Sequence, residues 1–295
     1  MSSRKQQQEQ ANQLAITSQT RNLPYEIFLE IVDRCVDIAY AESSPGAITW
    51  IFDGSEDAFD QVYISSNPVF DRKVQQERFA RFRNIYQVNQ TTRRLVCQRF
   101  PRFPRYQDLV EFVSWKAGGP TPHAWVCPSI DVFIPNFDNM HYDEDGGRNL
   151  LQAVMLNPLP EAAKLLRHIQ KICLNLERFM ASSEREILAL VSLRNLKVLR
   201  VWHSTTRPLP PADLHSHKEI HHVDGDLFPT LAREVAKDPY RLTLRWKPLW
   251  DAGVRIILKK RWSSVYDDVE LVYTPDGMRV KFLNPECTCY EETEE

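Results

Sequence analysis

Three segments in the middle of the chain, Ile169–Leu176, Ser183–Leu190 and Leu196–Trp202, constrain the fold more than any other feature. The outer two are short apolar runs with the length and branching of strands. The one between them has helical spacing. Two strands joined through a helix pair in parallel, by default through a right-handed crossover. Leu193, Leu196, Leu199 and Val201 have leucine-rich-repeat spacing, and Ile169, Ile172 and Leu174 resemble a second unit about one repeat earlier. Such repeats need about three or more neighbours to bury a continuous face, so parallel strands within a mixed sheet are the favoured reading.

Other elements fall around this unit. Ala47–Asp53 and Gln61–Ser65 read as short strands across the turn-rich Asp53-Gly54-Ser55. Glu77–Phe100 reads as helical until Pro101 and Pro104 end it. Ser114–Pro122, with Gly118-Gly119-Pro120, reads as a linker, and Ile130–Ile134 as a half-buried strand before a polar loop at Asn136–Gly147. Helices are expected over Asn149–Leu156, Glu161–Arg167 and Leu227–Ala236. Ala252–Lys260 is a further element, and Val269–Tyr273 with Met278–Phe282 form a hairpin across Asp276-Gly277. The fold class is α+β: an N-terminal helix packed with a mixed sheet and flanking helices, and the leucine-rich-like strand-helix-strand unit in the middle.

Composition bounds what this architecture can serve. At 43% hydrophobic and 26% charged over 295 residues, the chain is long enough to bury a sizeable core. A net charge of -2 argues against a surface built throughout for nucleic acid or acidic membranes. Residues 1–20, rich in glutamine, lack the apolar side chains that would offset ordering entropy, and are expected to be disordered. They also lack the apolar core of a secretory signal, and no stretch approaches the length of a membrane span. The expected location is intracellular, cytoplasmic or nuclear, with no membrane partner. The six cysteines are scattered and expected to be reduced. Residues 21–285 are expected to form one globular domain, with a subdivision point near 115–122, followed by an acidic tail at 286–295.

The segment LPYEIFLEIVDRC, Leu23–Cys35, has the marks of a helix start. Pro24 suits the first turn, Glu26 favours the positive end of the dipole, and Leu23 precedes them as a hydrophobic staple. Ile27, Ile31 and Cys35 recur at four-residue steps with Phe28 and Val32 beside them. That stripe is expected to pack on a core.

Several segments together resemble a family. LPYEIFLEIVD, YQVNQTTRRLV at Tyr86–Val96, PSIDVFIPNFD at Pro128–Asp138, LRHIQKICLNL from Leu166 and LRNLKVLRVW from Leu193 occur in the order seen in fungal two-EXR domain proteins. The resemblance spreads over much of Leu23–Trp202 and implies an unassigned molecular function. The first motif also resembles an F-box opening, which implies a Skp-type adaptor as partner. Both Glu-x-Arg motifs of the family are altered: Phe28 stands where arginine is expected after Glu26, and Thr91 stands where glutamate is expected before Arg93. One charge of each sign survives, so a partly buried Glu26–Arg93 ion pair is expected to dock the two helices.

Two clusters suggest chemistry. His215, His217, His221, His222, Asp224 and Asp226 carry zinc- and iron-binding side chains, with His217, His221 and Asp224 the best-spaced set. A solvated histidine-rich loop is the favoured reading, and no metal or other cofactor is expected. Arg72–Arg105 holds ten basic residues interleaved with Phe79, Phe82, Tyr86, Phe100 and Phe103, as a single-strand nucleic-acid site would. The same rings have the spacing of a core face, and the acidic tail or Asp143-Glu144-Asp145 can neutralise the patch, so nucleic acid is not the expected partner. No phosphate-binding loop, Gly-x-Ser-x-Gly elbow, His-Glu-x-x-His helix or Cys-x-x-Cys pair occurs. A site assembled from residues distant in sequence leaves no local motif. The expected role is a non-catalytic protein-interaction module with Leu23, Pro24, Glu26, Ile27, Ile31 and Arg93 as its motif. A ubiquitin-ligase substrate adaptor is the main alternative, and a metal-dependent enzyme around the histidine loop or a nucleic-acid binder around Arg72–Arg105 are the alternatives from other classes.

Overall fold

The computed structural model describes residues 24–43, 46–54, 62–66, 68–105, 123–137, 140–143, 146–203, 219–220, 231, 233, 235, 237–260, 268–275 and 277–283. In chain order these form α1 (Tyr25–Glu42), β1 (Thr49–Gly54), β2 (Val62–Ser65), α2 (Pro68–Tyr86), α3 (Gln90–Arg99), β3 (Arg102–Pro104) and β4 (His123–Trp125). They continue with β5 (Val132–Pro135), β6 (Met140–Asp143), β7 (Gly146–Asn149), α4 (Leu150–Leu156), α5 (Pro160–Leu166), β8 (Lys171–Asn175), α6 (Leu176–Ala181) and α7 (Glu184–Val191). The last are β9 (Val198–His203), β10 (Glu219–Ile220), α8 (Pro239–Asp251), β11 (Arg255–Lys260), β12 (Val269–Thr274) and β13 (Gly277–Phe282). The fold is α+β. No helix among the described residues is long and apolar enough to cross a membrane.

Nine strands form one mixed sheet in the order β10-β13-β12-β11-β9-β8-β5-β1-β2. Its centre, β1-β5-β8-β9-β11, is parallel throughout, and antiparallel strands close both sides. The strand-helix-strand unit lies at the heart of this block, with Lys171 to Asn175 paired in parallel against Val198 to Trp202. The two leucine-rich-like units are thus neighbouring strands of a mixed sheet. Trp50, Phe52, Phe133, Ile172, Leu199, Val201, Ile256 and Leu258 all belong to one buried cluster, to which Phe179, Ile187, Leu190 and Trp246 contribute from the helices. A second, smaller cluster joins Val32 and Val36 of α1 to Phe82, Val96, Phe100 and Cys127.

Several boundaries differ from the sequence expectation. The helical stretch expected over Glu77–Phe100 is two helices, because Asn89 adopts an extended conformation and caps the second. Its side chain accepts from the Thr92 N–H while Thr92 Oγ1 accepts from the Asn89 N–H, a reciprocal box. The polar loop expected at Asn136–Gly147 contains the β6–β7 hairpin. The half-buried strand expected at Ile130–Ile134 is Val132–Pro135, a central strand with Val132, Phe133 and Pro135 buried. Helix α8, which had no counterpart in the sequence reading, starts at Pro239 beneath an Asp238 cap and contains Pro248. The 1–20 tail, Leu23, the 115–122 linker, the metal candidates His217, His221 and Asp224, and the 286–295 tail lie outside the described residues. Of Leu227–Ala236, helix is seen at 231, 233 and 235.

Arg78 of α2 and Asp131, just before β5, join the two clusters. Arg78 is 2% exposed and Asp131 is 0% exposed. The guanidinium meets the carboxylate with both terminal nitrogens, at 2.5 and 2.7 Å. Asp131 also accepts from the Ile48 and Cys127 backbone N–H groups and from Trp50 Nε1, each at 2.9 or 3.0 Å. Arg78 donates further to the carbonyls of Gly46 and Trp125. A buried charge left without its partner costs about 3–5 kcal/mol, so Arg78→Met is expected to lower unfolding free energy by about that much. Arg78→Lys, which keeps the charge and loses the planar fork, should lose a smaller part, and urea unfolding of both variants beside wild type measures the difference.

Candidate interaction surface

Helix α1 carries two apolar stripes, and its packing separates them. The buried one runs through Val32, Val36 and Ala39. Phe28 and Tyr40 pack against the same small cluster from its edges. The Tyr40 ring meets Phe100 edge-on at 5.3 Å between centroids, and its hydroxyl accepts from the Ser129 N–H at 2.9 Å. The other stripe is Ile27, Ile31 and Ile38, which are 42%, 50% and 53% exposed. Cys35 lies between them and is also exposed.

Of the stripe expected to pack on a core, Phe28 and Val32 therefore face inward, whereas Ile27, Ile31 and Cys35 face outward. The two candidate stripes lie one residue, or about 100°, apart on the helix, and both repeat every four residues. Phe28 and Tyr40 decide the matter, since they offer more buriable surface than the isoleucines opposite and a hydroxyl placed to receive the Ser129 N–H.

Pro24 occupies the cap position without a side-chain cap, and Glu26 lies exposed in the first turn. The Arg93 Nε donates to the Tyr86 carbonyl at 3.2 Å, and no ion pair joins it to Glu26. The expected Glu26–Arg93 dock is replaced by Asp37 and Arg99, whose carboxylate and Nε lie 2.9 Å apart with both side chains about half exposed. That pair is nearly two helical turns further along α3 than Arg93 and nearer the C-terminal end of α1. Sequence reasoning missed Arg78–Asp131 altogether. Its one visible signal was an aspartate set inside the otherwise apolar Ile130–Ile134 stretch.

The arginine-rich segment does not present a free stacking surface. Phe82, Phe100 and Phe103 are fully buried. Phe79 stacks on Trp125, whose ring also takes the edge of Tyr86 and lies 5.2 Å beneath the Arg102 guanidinium. Among the described residues no group of three or more histidine, cysteine or acidic side chains is arranged to hold a metal ion. The described cysteines are free thiols, and burial pushes the thiols of Cys127 and Cys173 up to about 11 and about 12. Protonated and enclosed, these two are poor nucleophiles.

No family, no curated protein and no solved structure matches the chain.

His168, between α5 and β8, reports on the integrity of the core beneath the parallel block. Burial, with a smaller contribution from the Arg167 charge, pulls its imidazole down from 6.5 to about 4. Between those values the unfolded chain takes up a proton that the folded chain refuses, so stability falls as pH drops from about 6.5 to about 4. Urea unfolding at pH 7 and pH 5 is expected to show a smaller loss for His168→Gln than for wild type.

Proposed function

We propose that this chain is a non-catalytic protein-interaction module, that the outward stripe of α1 is its recognition element, and that its partner presents an apolar groove with a basic rim. The supporting observation is the row formed by Ile27, Ile31 and Ile38 along one side of an 18-residue helix. Single exposed apolar residues are ordinary, but a row at helical spacing is the pattern by which a helix lies in a groove. The same helix carries Glu26, Glu30, Asp33, Asp37 and Glu42 against Arg34 alone, so a basic rim complements it. The resemblance to fungal two-EXR proteins adds no activity to this reading.

A ubiquitin-ligase adaptor is the second reading. Tyr25 and Ile27 are exposed at the helix start that resembles an F-box opening, and α1, α2 and α3 share one small core. Against it, β1 and β2 intervene between α1 and α2, which a compact three-helix unit lacks.

The test is affinity purification of the full chain beside Ile27→Asp with Ile31→Asp, and beside Leu159→Asp as an exposed control elsewhere. The expected result is a stoichiometric partner held by wild type and control, lost from the double variant, and weakened by salt. A Skp-type adaptor in that position supports the second reading. A partner retained equally by all three chains would overturn the assignment of α1, and circular dichroism checks that each variant is folded.

A further inference from the structure

A second surface lies at the other end of the sheet, between α7 and α8. The two helices leave a cavity of about 460 Å³ lined by Ile187, Leu188, Leu244 and Pro248, with Arg241, Arg245 and Glu184 at its polar border. Leu188 is 44% exposed, and Leu244 and the neighbouring Tyr240 are both 62% exposed. Arg245 spends one nitrogen on the Met180 carbonyl at 2.9 Å. Arg241 is exposed, and its guanidinium has no partner among the described residues. Pro248 withholds the N–H that the Leu244 carbonyl would otherwise receive within the helix. The groove thus combines an apolar floor, two cations and backbone able to accept a hydrogen bond.

We infer that the occupant of this groove is the chain's own acidic segment, Tyr290–Glu295. Three observations point to it. The first is where the chain leaves the sheet. Helix α8 turns back into β11 through Gly253, so its C-terminal end lies over the start of that strand. Trp250 Nε1 donates to the Leu271 carbonyl, and Leu271 is paired with both Ile256 and Val280. Strand β13 runs on from there to Phe282 opposite Val269, in the direction of the N-terminal turns of α8, where Tyr240 and Arg241 stand. Leu283, the last described residue, is held there by its N–H to the Asp268 carbonyl at 2.9 Å.

The second observation is reach. Twelve residues, 284–295, follow Leu283. Extended, they span up to about 40 Å, twice the roughly 20 Å length of α8. The third is chemistry. Glu291, Glu292, Glu294 and Glu295 supply anions for Arg241 and Arg245, and Tyr290 supplies an aromatic ring for the leucine floor. A tail seated in this way competes with any acidic, apolar-anchored segment of another protein for the same groove.

The experiment places a photo-crosslinking residue in the full chain, Tyr290→p-benzoylphenylalanine, and maps the products by mass spectrometry. Crosslinks within one molecule to peptides containing Leu188 or Leu244, at a yield independent of protein concentration, are the expected result. Arg241→Glu should lower that yield by about threefold or more, the size that one or two exposed charge pairs supply. Adding Glu291→Lys and Glu292→Lys should restore it. Crosslinks to α2 or α3, crosslinks only between copies, or a yield unmoved by Arg241→Glu would each overturn the inference. Thermal unfolding of the Arg241→Glu chain checks that the groove itself is intact.

Discussion

The ion pair between Arg78 and Asp131 holds the two parts of the fold to one geometry. Each charge is costly to remove from water, and the cost is offset here because the carboxylate accepts five hydrogen bonds and both terminal guanidinium nitrogens donate, Arg78 Nε alone being buried without a partner among the described residues. The partners come from α2, from the residue leading into β1, from β1 itself and from the turn leading into β5. A shift of α2 along the sheet would break several of these bonds at once. The pair therefore sets register more than it adds net stability, a role that apolar residues of the same volume would fill poorly. Arginine is required for it, since one planar group must meet two carboxylate oxygens and the carbonyls of Gly46 and Trp125 together.

With α2 fixed in this way, the packing of α1 follows. Phe82 and Phe100 present an aromatic floor, at 4.7 Å between centroids, that accepts Val32, Val36 and the edge of Tyr40. Only one stripe of α1 can use it. The isoleucines of the other stripe are left outward, where they contribute nothing to the small core. Among the described residues nothing covers them.

Periodicity made the centre of the fold legible. Ile169–Leu176 and Leu196–Trp202 could be read as parallel strands because two short apolar runs flank a helix, and the β12–β13 hairpin from the turn pair Asp276-Gly277, although the pairing of Gly277 with Thr274 makes that glycine the first residue of β13. What stayed hidden depended on contacts between distant residues. Arg78 lies among ten basic residues that look alike in sequence, and only its partner 53 positions away distinguishes it. The break at Asn89 was hidden because a threonine rather than a glutamate completes the capping box. Helix α8 was hidden by its two prolines, one harmless at the first turn and one tolerated within. The outward face of α1 could not be chosen from spacing, since both stripes repeat identically.

The sheet also explains how the two proposed surfaces can coexist without sharing structure. Strands β5 and β8 meet through a single registered pair, Phe133 with Ile172, whereas β8 and β9 share five. That seam divides a half bearing α1, α2 and α3 from a half bearing α6, α7 and α8. Helix α4 spans it. Its start lies so close to Gly54 of β1 that a side chain there would meet Leu150 and Leu151 backbone at 3.0 Å, and its Met155 carbonyl accepts from Ser192 Oγ at the end of α7. Helix α4 thereby links β1 on one side of the seam to the end of α7 on the other.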